Sequence, residues 1–218
     1  ICAIADNKAI VGSGRYEAAK KLIEFDQLEI AKSIFLDIAK DQGVYHATRY
    51  YAALKLLEHN AIEECKAALL FIVKDQSVHR DTEHNASVQL IRLISQKNEL
   101  LLLLKDQDLS NKPRGGHYIL GFAIDKLLER VLDDELVAIG HDKDIFYGAR
   151  FKVGLKLVNL QALAEAKAIF LDLASDKSVS RKTRLDAGDM LINEFSALAE
   201  AKAVFLSIGN EKDDHWYL

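Results

Sequence analysis

Apolar residues along the chain fall at helical spacing, and the stripe they form returns at intervals of about 35 residues. Residues 162–171 read ALAEAKAIFL and residues 197–206 read ALAEAKAVFL, agreeing at nine of ten positions. AKSIFLDIA at 31–39 is a third copy of the same helix. Its apolar positions recur at i, i+3, i+4 and i+7, the signature of a helix with one buried face. A second pattern alternates with it: R-x-x-A-[AGS]-x-x-L-[ILV], as in Arg49 with Ala52-Ala53 and Leu56-Leu57, or Arg184 with Ala187-Gly188 and Leu191-Ile192. Its small pair lets a neighbouring helix approach closely. The spacing therefore predicts a helix A and a helix B per unit, joined by short turns such as EHN at 58–60 and NLQ at 159–161.

Polar columns fix the period. An aspartate follows each apolar helix end: Asp41, Asp75, Asp106, Asp142 and Asp176, at spacings of 34, 31, 36 and 34, with Asp6 and Glu211 extending the series by 35 at either side. Three residues after each inner aspartate comes Val44, Val78, Leu109, Ile145 or Val179, and eight after comes Arg49, Glu83, Arg114, Arg150 or Arg184. Neither helix can hide its stripe alone, so stacking of similar units is the natural solution. The expected fold is all-α, a right-handed α-solenoid (superhelix) of about six two-helix repeats of 31–36 residues, forming a single domain over 1–218. Ile1–Asp6 reads as the tail of a helix B and DDHWYL at 213–218 as the entry to another helix A, so a piece of a longer array is expected.

The columns have a structural reading. A linker aspartate can cap amides at the start of the following helix. An arginine eight residues on can reach back to it, giving a ladder of charge-assisted hydrogen bonds through Asp41, Arg49, Asp106, Arg114, Asp142, Arg150, Asp176 and Arg184. Regularity breaks at DLSNKPRGGH, 108–117, which holds the only proline and a Gly-Gly pair. A bend or projecting loop is expected there, with Lys112, Pro113, Arg114, Gly115 and Gly116 as candidate interaction residues.

With these columns in hand, the chain resembles the short HEAT-like repeats of α-solenoid proteins, whose rhythm is D-x-x-V-x4-R-x2-A-A-x2-L. It is similar to the repeat arrays that follow the nucleotide-binding domain of bacterial NACHT-type signalling ATPases. The resemblance covers roughly residues 1–214 and implies a scaffold or sensor surface rather than chemistry. Tetratricopeptide repeats are the nearest competitor; Ala201 and Phe205 echo their helix B spacing, but their inter-repeat proline and tryptophan-leucine-glycine pattern are absent.

Composition changes this picture little. A net charge of -4 gives no general pull toward nucleic acid or anionic membrane. No segment reaches the roughly twenty apolar residues of a membrane span. Cys2 and Cys65 form no disulfide framework or metal spacing, and Cys65 occupies the small-residue position of Ala166 and Ala201. Free thiols favour a reducing, cytoplasmic setting. HExxH and GxSxG motifs are absent. Two weaker features remain: Gly12-Gly14 before a helix, readable as an anion cradle or a turn, and HRDTEH at 79–84, readable as metal ligands or as helix-dipole compensation. The reading that follows is a non-catalytic protein–protein interaction scaffold or sensor module without cofactor or metal, its protein or peptide partner unknown. The alternatives are a nucleic-acid module using the basic edge of the A helices, and a structural spacer.

Overall fold

The computed structural model describes residues 2–5, 7–112 and 116–211. Among them there is no strand, and helices follow one another with short connections. α1 (Cys2–Ala5) precedes the hairpins α2 (Gly12–Glu24) with α3 (Leu28–Lys40) and α4 (His46–Glu58) with α5 (Ile62–Lys74), then α6 (Arg80–Leu93) and α7 (Lys97–Leu104). After the short α8 (Gln107–Ser110) come α9 (Gly116–Leu128) and α10 (Asp133–His141), then the hairpins α11 (Tyr147–Asn159) with α12 (Leu163–Ser175) and α13 (Arg181–Asn193) with α14 (Leu198–Gly209). This is the all-α, solenoid-like repeat fold that the period predicts.

By contacts the chain separates into two compact units, residues 1–100 with 107–123, and residues 101–106 with 124–218. In the first, α2 to α6 each pack on the next helix, and like helices meet, α2 on α4, α3 on α5 and α4 on α6. In the second, α10 to α14 do the same, with α10 on α12, α11 on α13 and α12 on α14.

The repeated stripe is the core. Ala31, Ile34, Phe35, Ile38 and Ala39 of α3 are buried, as are Cys65, Ala68, Leu69, Ile72 and Val73 of α5 and Ala166, Ile169, Phe170, Leu173 and Ala174 of α12. The small pairs admit helix B side chains. A Cβ at Gly154 would lie 2.8 Å from the Phe170 ring, and one at Gly188 2.8 Å from the Phe205 ring. Burial pushes the Cys65 thiol up to about 11, so this residue is a packing element rather than a nucleophile.

Four of the A-to-B turns share one device. Asp26, Asn60, Gln161 and Ser196 all have φ between 52° and 62°. The next residue returns its amide into the end of helix A: Gln27 to Leu22 O, Ala61 to Leu56 O, Ala162 to Leu157 O and Ala197 to Leu191 O. These are left-handed helix terminators of the kind that favour glycine. Gln161 is the least suited of them, so Gln161→Gly is expected to stabilise the chain by about 0.5–1 kcal/mol. A rise in urea midpoint at constant m-value would show it; a fall would mean that the glutamine side chain contributes more than its backbone strain costs.

Candidate functional site

The arginine column is buried, with Arg15, Arg49, Arg150 and Arg184 all between 1% and 3% exposed. Each is the fourth residue of its helix A. Helices A and B of a unit are antiparallel, as a three- or four-residue turn requires, so the C-terminal end of B returns beside the first turn of A. There the guanidinium meets an acid in the last turn of helix B or in the next linker. Arg15 donates to Asp41 Oδ2 at 3.2 Å and to Asp37; Arg49 donates to Asp75 Oδ2 at 2.6 Å; Arg150 pairs with Asp172; Arg184 donates to Glu211 at 2.8 Å. The bridges run forward: Arg49 holds Asp75, not the Asp41 eight residues before it, and Arg150 takes Asp172 within α12 instead of a linker aspartate.

The same arginines also reach backward, through Nε and to backbone. Arg49 Nε donates to Ala39 O at 3.1 Å, Arg150 Nε to Gly140 O at 2.9 Å, and Arg184 Nε to Ala174 O at 3.3 Å, each ten residues earlier. Those carbonyls belong to the last turn of the preceding helix B, where acceptors lack helical partners and a cation is favoured. One side chain thus closes its own hairpin and ties it to the hairpin before.

The aspartates serve two directions. One oxygen, Oδ1, accepts the amide two residues on and sets the turn: Gly43 to Asp41 at 3.0 Å, Ser77 to Asp75 at 2.9 Å, Asp144 to Asp142 at 3.0 Å and Ser178 to Asp176 at 2.9 Å. The other faces a cation in three of the four: Arg15 at Asp41, Arg49 at Asp75 and Lys105, 2.7 Å away, at Asp142. Burial pushes the Asp75 carboxyl up, but Arg49 and the Ser77 hydroxyl and amide outweigh it and hold it below the ordinary 3.8. Asp142 is also lowered, burial being overcome by Lys105 and the Asp144 amide. At Asp176 the Ser178 hydroxyl is the main cause, opposed by burial and helped by the Ser178 amide, Lys143 and Arg150.

These directions give a pH dependence. Near pH 3.8 the folded chain binds fewer protons than the unfolded chain, so stability rises with pH there. The unfolding free energy is expected to fall as pH drops below 3.8 and to level off beneath the depressed folded values. Burial, with the His79 and Arg49 charges, also lowers His46, adding a smaller loss that begins as pH falls through 6.5. Urea midpoints from pH 7 to 2.5 test this. Asp75→Asn is expected to flatten the acid limb, and stability that grew on acidification would contradict the ladder.

The third unit carries Glu83 where the others carry arginine, and it too is buried, 4% exposed. Lys112 supplies the missing cation. Its Nζ lies 2.8 Å from Glu83 Oε1, and it donates to Val73 O at 2.5 Å and Asp75 O at 3.1 Å. Val73 is ten residues before Glu83, the carbonyl position that an arginine Nε takes elsewhere. Lys112, expected in a projecting interaction loop, is instead buried inside the first unit, and Leu109 beside it is 0% exposed. Pro113, Arg114 and Gly115 lie outside the described residues; Gly116 begins α9, and Asp106 sits between α7 and α8.

The other motifs resolve into packing. Gly12 is needed because a Cβ there would lie 2.4 Å from Val44. In HRDTEH the residues act separately: His79 Nδ1 accepts the Asp81 amide, Glu83 binds Lys112, and His84 meets the edges of Tyr118 and Phe122. Among the described residues no group of three or more His, Cys, Asp or Glu is placed to hold a metal ion, and no helix is long and apolar enough to cross a membrane. One further ladder escapes the sequence reading. Lys66 reaches Glu99 at 3.2 Å and Lys167 reaches Glu200 at 2.9 Å, joining first turns of successive B helices at a constant separation of 33. That equal spacing is visible in the sequence to a search for paired columns. No family model, curated protein or solved structure matches the chain.

Proposed function

We propose that the chain is a non-catalytic protein-interaction scaffold or sensor segment of a larger signalling protein, cytoplasmic and HEAT-like in its repeats. The observation that supports it is the fate of the recurring charged columns. Arginine, aspartate and the Glu83–Lys112 replacement are consumed in joining hairpins, so the repeat-conserving residues build the stack. What differs between repeats is the exposed surface, which is how solenoids present recognition faces. The HEAT-like label is preferred to the tetratricopeptide one because of the linker aspartate and helix A arginine.

The nucleic-acid alternative needs a concentrated positive footprint. Lys20 pairs with Glu17, Lys21 with Glu24 and Lys55 with Glu58, each within its own helix. This neutralisation favours a protein partner. The test is crosslinking in cells with the chain as bait, followed by rebinding of any stoichiometric partner in purified form. A partner that rebinds with micromolar or tighter affinity supports the scaffold. Retention of DNA or RNA at low salt would favour the alternative, and the lack of either would favour a spacer.

A further inference from the structure

The starts of α4 and α6, both in the first unit, meet through two histidines. His46 Nδ1 lies 2.8 Å from Thr82 Oγ1, on a residue only 8% exposed, and the His46 and His79 rings stack with centroids 5.8 Å apart. His79 is also the N-cap of α6, where its Nδ1 accepts the Asp81 amide at 3.3 Å. Among the other described helix A N-caps, Val11, Tyr45 and Phe146 make no side-chain cap bond, and Ser180 caps α13 with a hydroxyl. The α6 cap therefore depends on a lone pair that a proton can take.

Protonation works against this arrangement at both rings. A proton on His79 Nδ1 removes the acceptor of the Asp81 amide and makes that nitrogen a donor toward Asp81 Oδ2, 3.7 Å away. The Asp81 carboxylate is exposed, so the new pair adds little, whereas a lost cap weakens the helix start. A proton on His46 sets a second cation against the stacked ring. The charges facing His46 are His79 across the joint and Arg49 on its own helix, the latter bound to Asp75. Among the described residues, α2, α3 and α5, which also pack on α4, bring no charge that acts on His46. Burial, then these two cations, hold His46 below the ordinary 6.5. Around His79, Glu83 is bound to Lys112, Arg80 lies over the Tyr118 ring of α9, and His84 meets Tyr118 and Phe122. That leaves Asp81 as the anion beside the pair.

We propose that His46 and His79 form an acid-responsive joint, which closes the start of α6 onto α4 at neutral pH and releases it as the two rings take up protons. Its window lies above the carboxylate range, so the arginine–acid rungs stay charged while the joint opens. The test is hydrogen exchange of the 218-residue chain between pH 7.5 and 5.5, read by mass spectrometry and divided by the intrinsic rate at each pH. Protection over residues 80–87 is expected to fall about tenfold, and that over residues 181–188, behind the Ser180 cap, to stay constant. His79→Ser, which sets the hydroxyl cap of α13 on α6, should hold the protection of 80–87 level across the window. His46→Gln, which keeps a polar partner for Thr82 without the second charge, should show a smaller fall than the parent chain. In the parent chain itself, nitrogen-resolved imidazole spectra should show His79 Nδ1 gaining its proton at the pH where the Asp81 amide resonance moves. An equal fall over 80–87 and 181–188 overturns the proposal, since acid would then loosen the chain generally. A fall that persists in His79→Ser, a full-sized fall in His46→Gln, or an Asp81 amide that ignores His79 overturns it as well.

Discussion

Replacing Arg49 with alanine is expected to lower the stability of the chain by about 3–5 kcal/mol. The cost comes from what is left behind. The Asp75 side chain is 5% exposed, and without its cation it becomes a buried charge with only the Ser77 contacts. The Ala39 carbonyl loses its donor, and the guanidinium, which lies over the Phe71 ring, leaves a void. Chemical denaturation measures the loss. Arg49→Ala/Asp75→Asn should recover part of it, because the stranded charge is gone. Arg49→Lys should recover less than its charge implies, since one ammonium cannot replace a planar fork that serves Ala39 O and Asp75 together. A loss under about 1 kcal/mol, the size of an exposed pair, would mean that water reaches the site and the ladder is ornamental. Arg184→Ala should cost less than Arg49→Ala, because its partner Glu211 is 32% exposed.

The second large effect is expected at Lys112. A lysine in a projecting loop would be replaceable within about 0.5 kcal/mol. Lys112→Met is expected to cost several times that, of the order of 3 kcal/mol, because Glu83 is left buried without a cation and the Val73 and Asp75 carbonyls lose their donor. The diagnostic experiment is the double variant Glu83→Gln/Lys112→Met. Its destabilisation should be smaller than the sum of the single losses, with a coupling of about 0.5–3 kcal/mol. Simple additivity would show that the two residues stabilise the unit independently and that the inverted pair is not a replacement for the arginine rung.

Much of this architecture is legible in the sequence. The apolar stripe of AKSIFLDIA and its copies identifies helix B because a helix has one way to bury residues three and four apart. The turns at 58–60 and 159–161 fall where the stripe lapses. The direction of the ladder was not legible. An arginine eight residues past one aspartate is also 26 or so residues before the next, and a periodic sequence contains both separations equally. Only the antiparallel return of helix B chooses between them, and that is a property of packing rather than of spacing. Lys112 departs from its sequence expectation for a related reason. Proline and glycines around it announce irregular backbone, but the need for a cation comes from Glu83, 29 positions away. A glutamate interrupting an arginine column was the available signal.

The forward rungs also constrain how such an array can change in length. Arg49, Arg150 and Arg184 each find an acid in the helix B of their own hairpin or in the linker that closes it, and a carbonyl in the helix B before. A duplication or loss of one whole period therefore joins ends that already fit, because every incoming hairpin brings its own acid and meets an equivalent carbonyl. A cut within a period separates an arginine from its acid and strands a charge in the interior. The third unit is the exception. With Glu83 and Lys112 inverted across the following linker, it cannot be exchanged for a neighbour without carrying the stretch from 80 to 112 along with it, which makes that stretch an indivisible block.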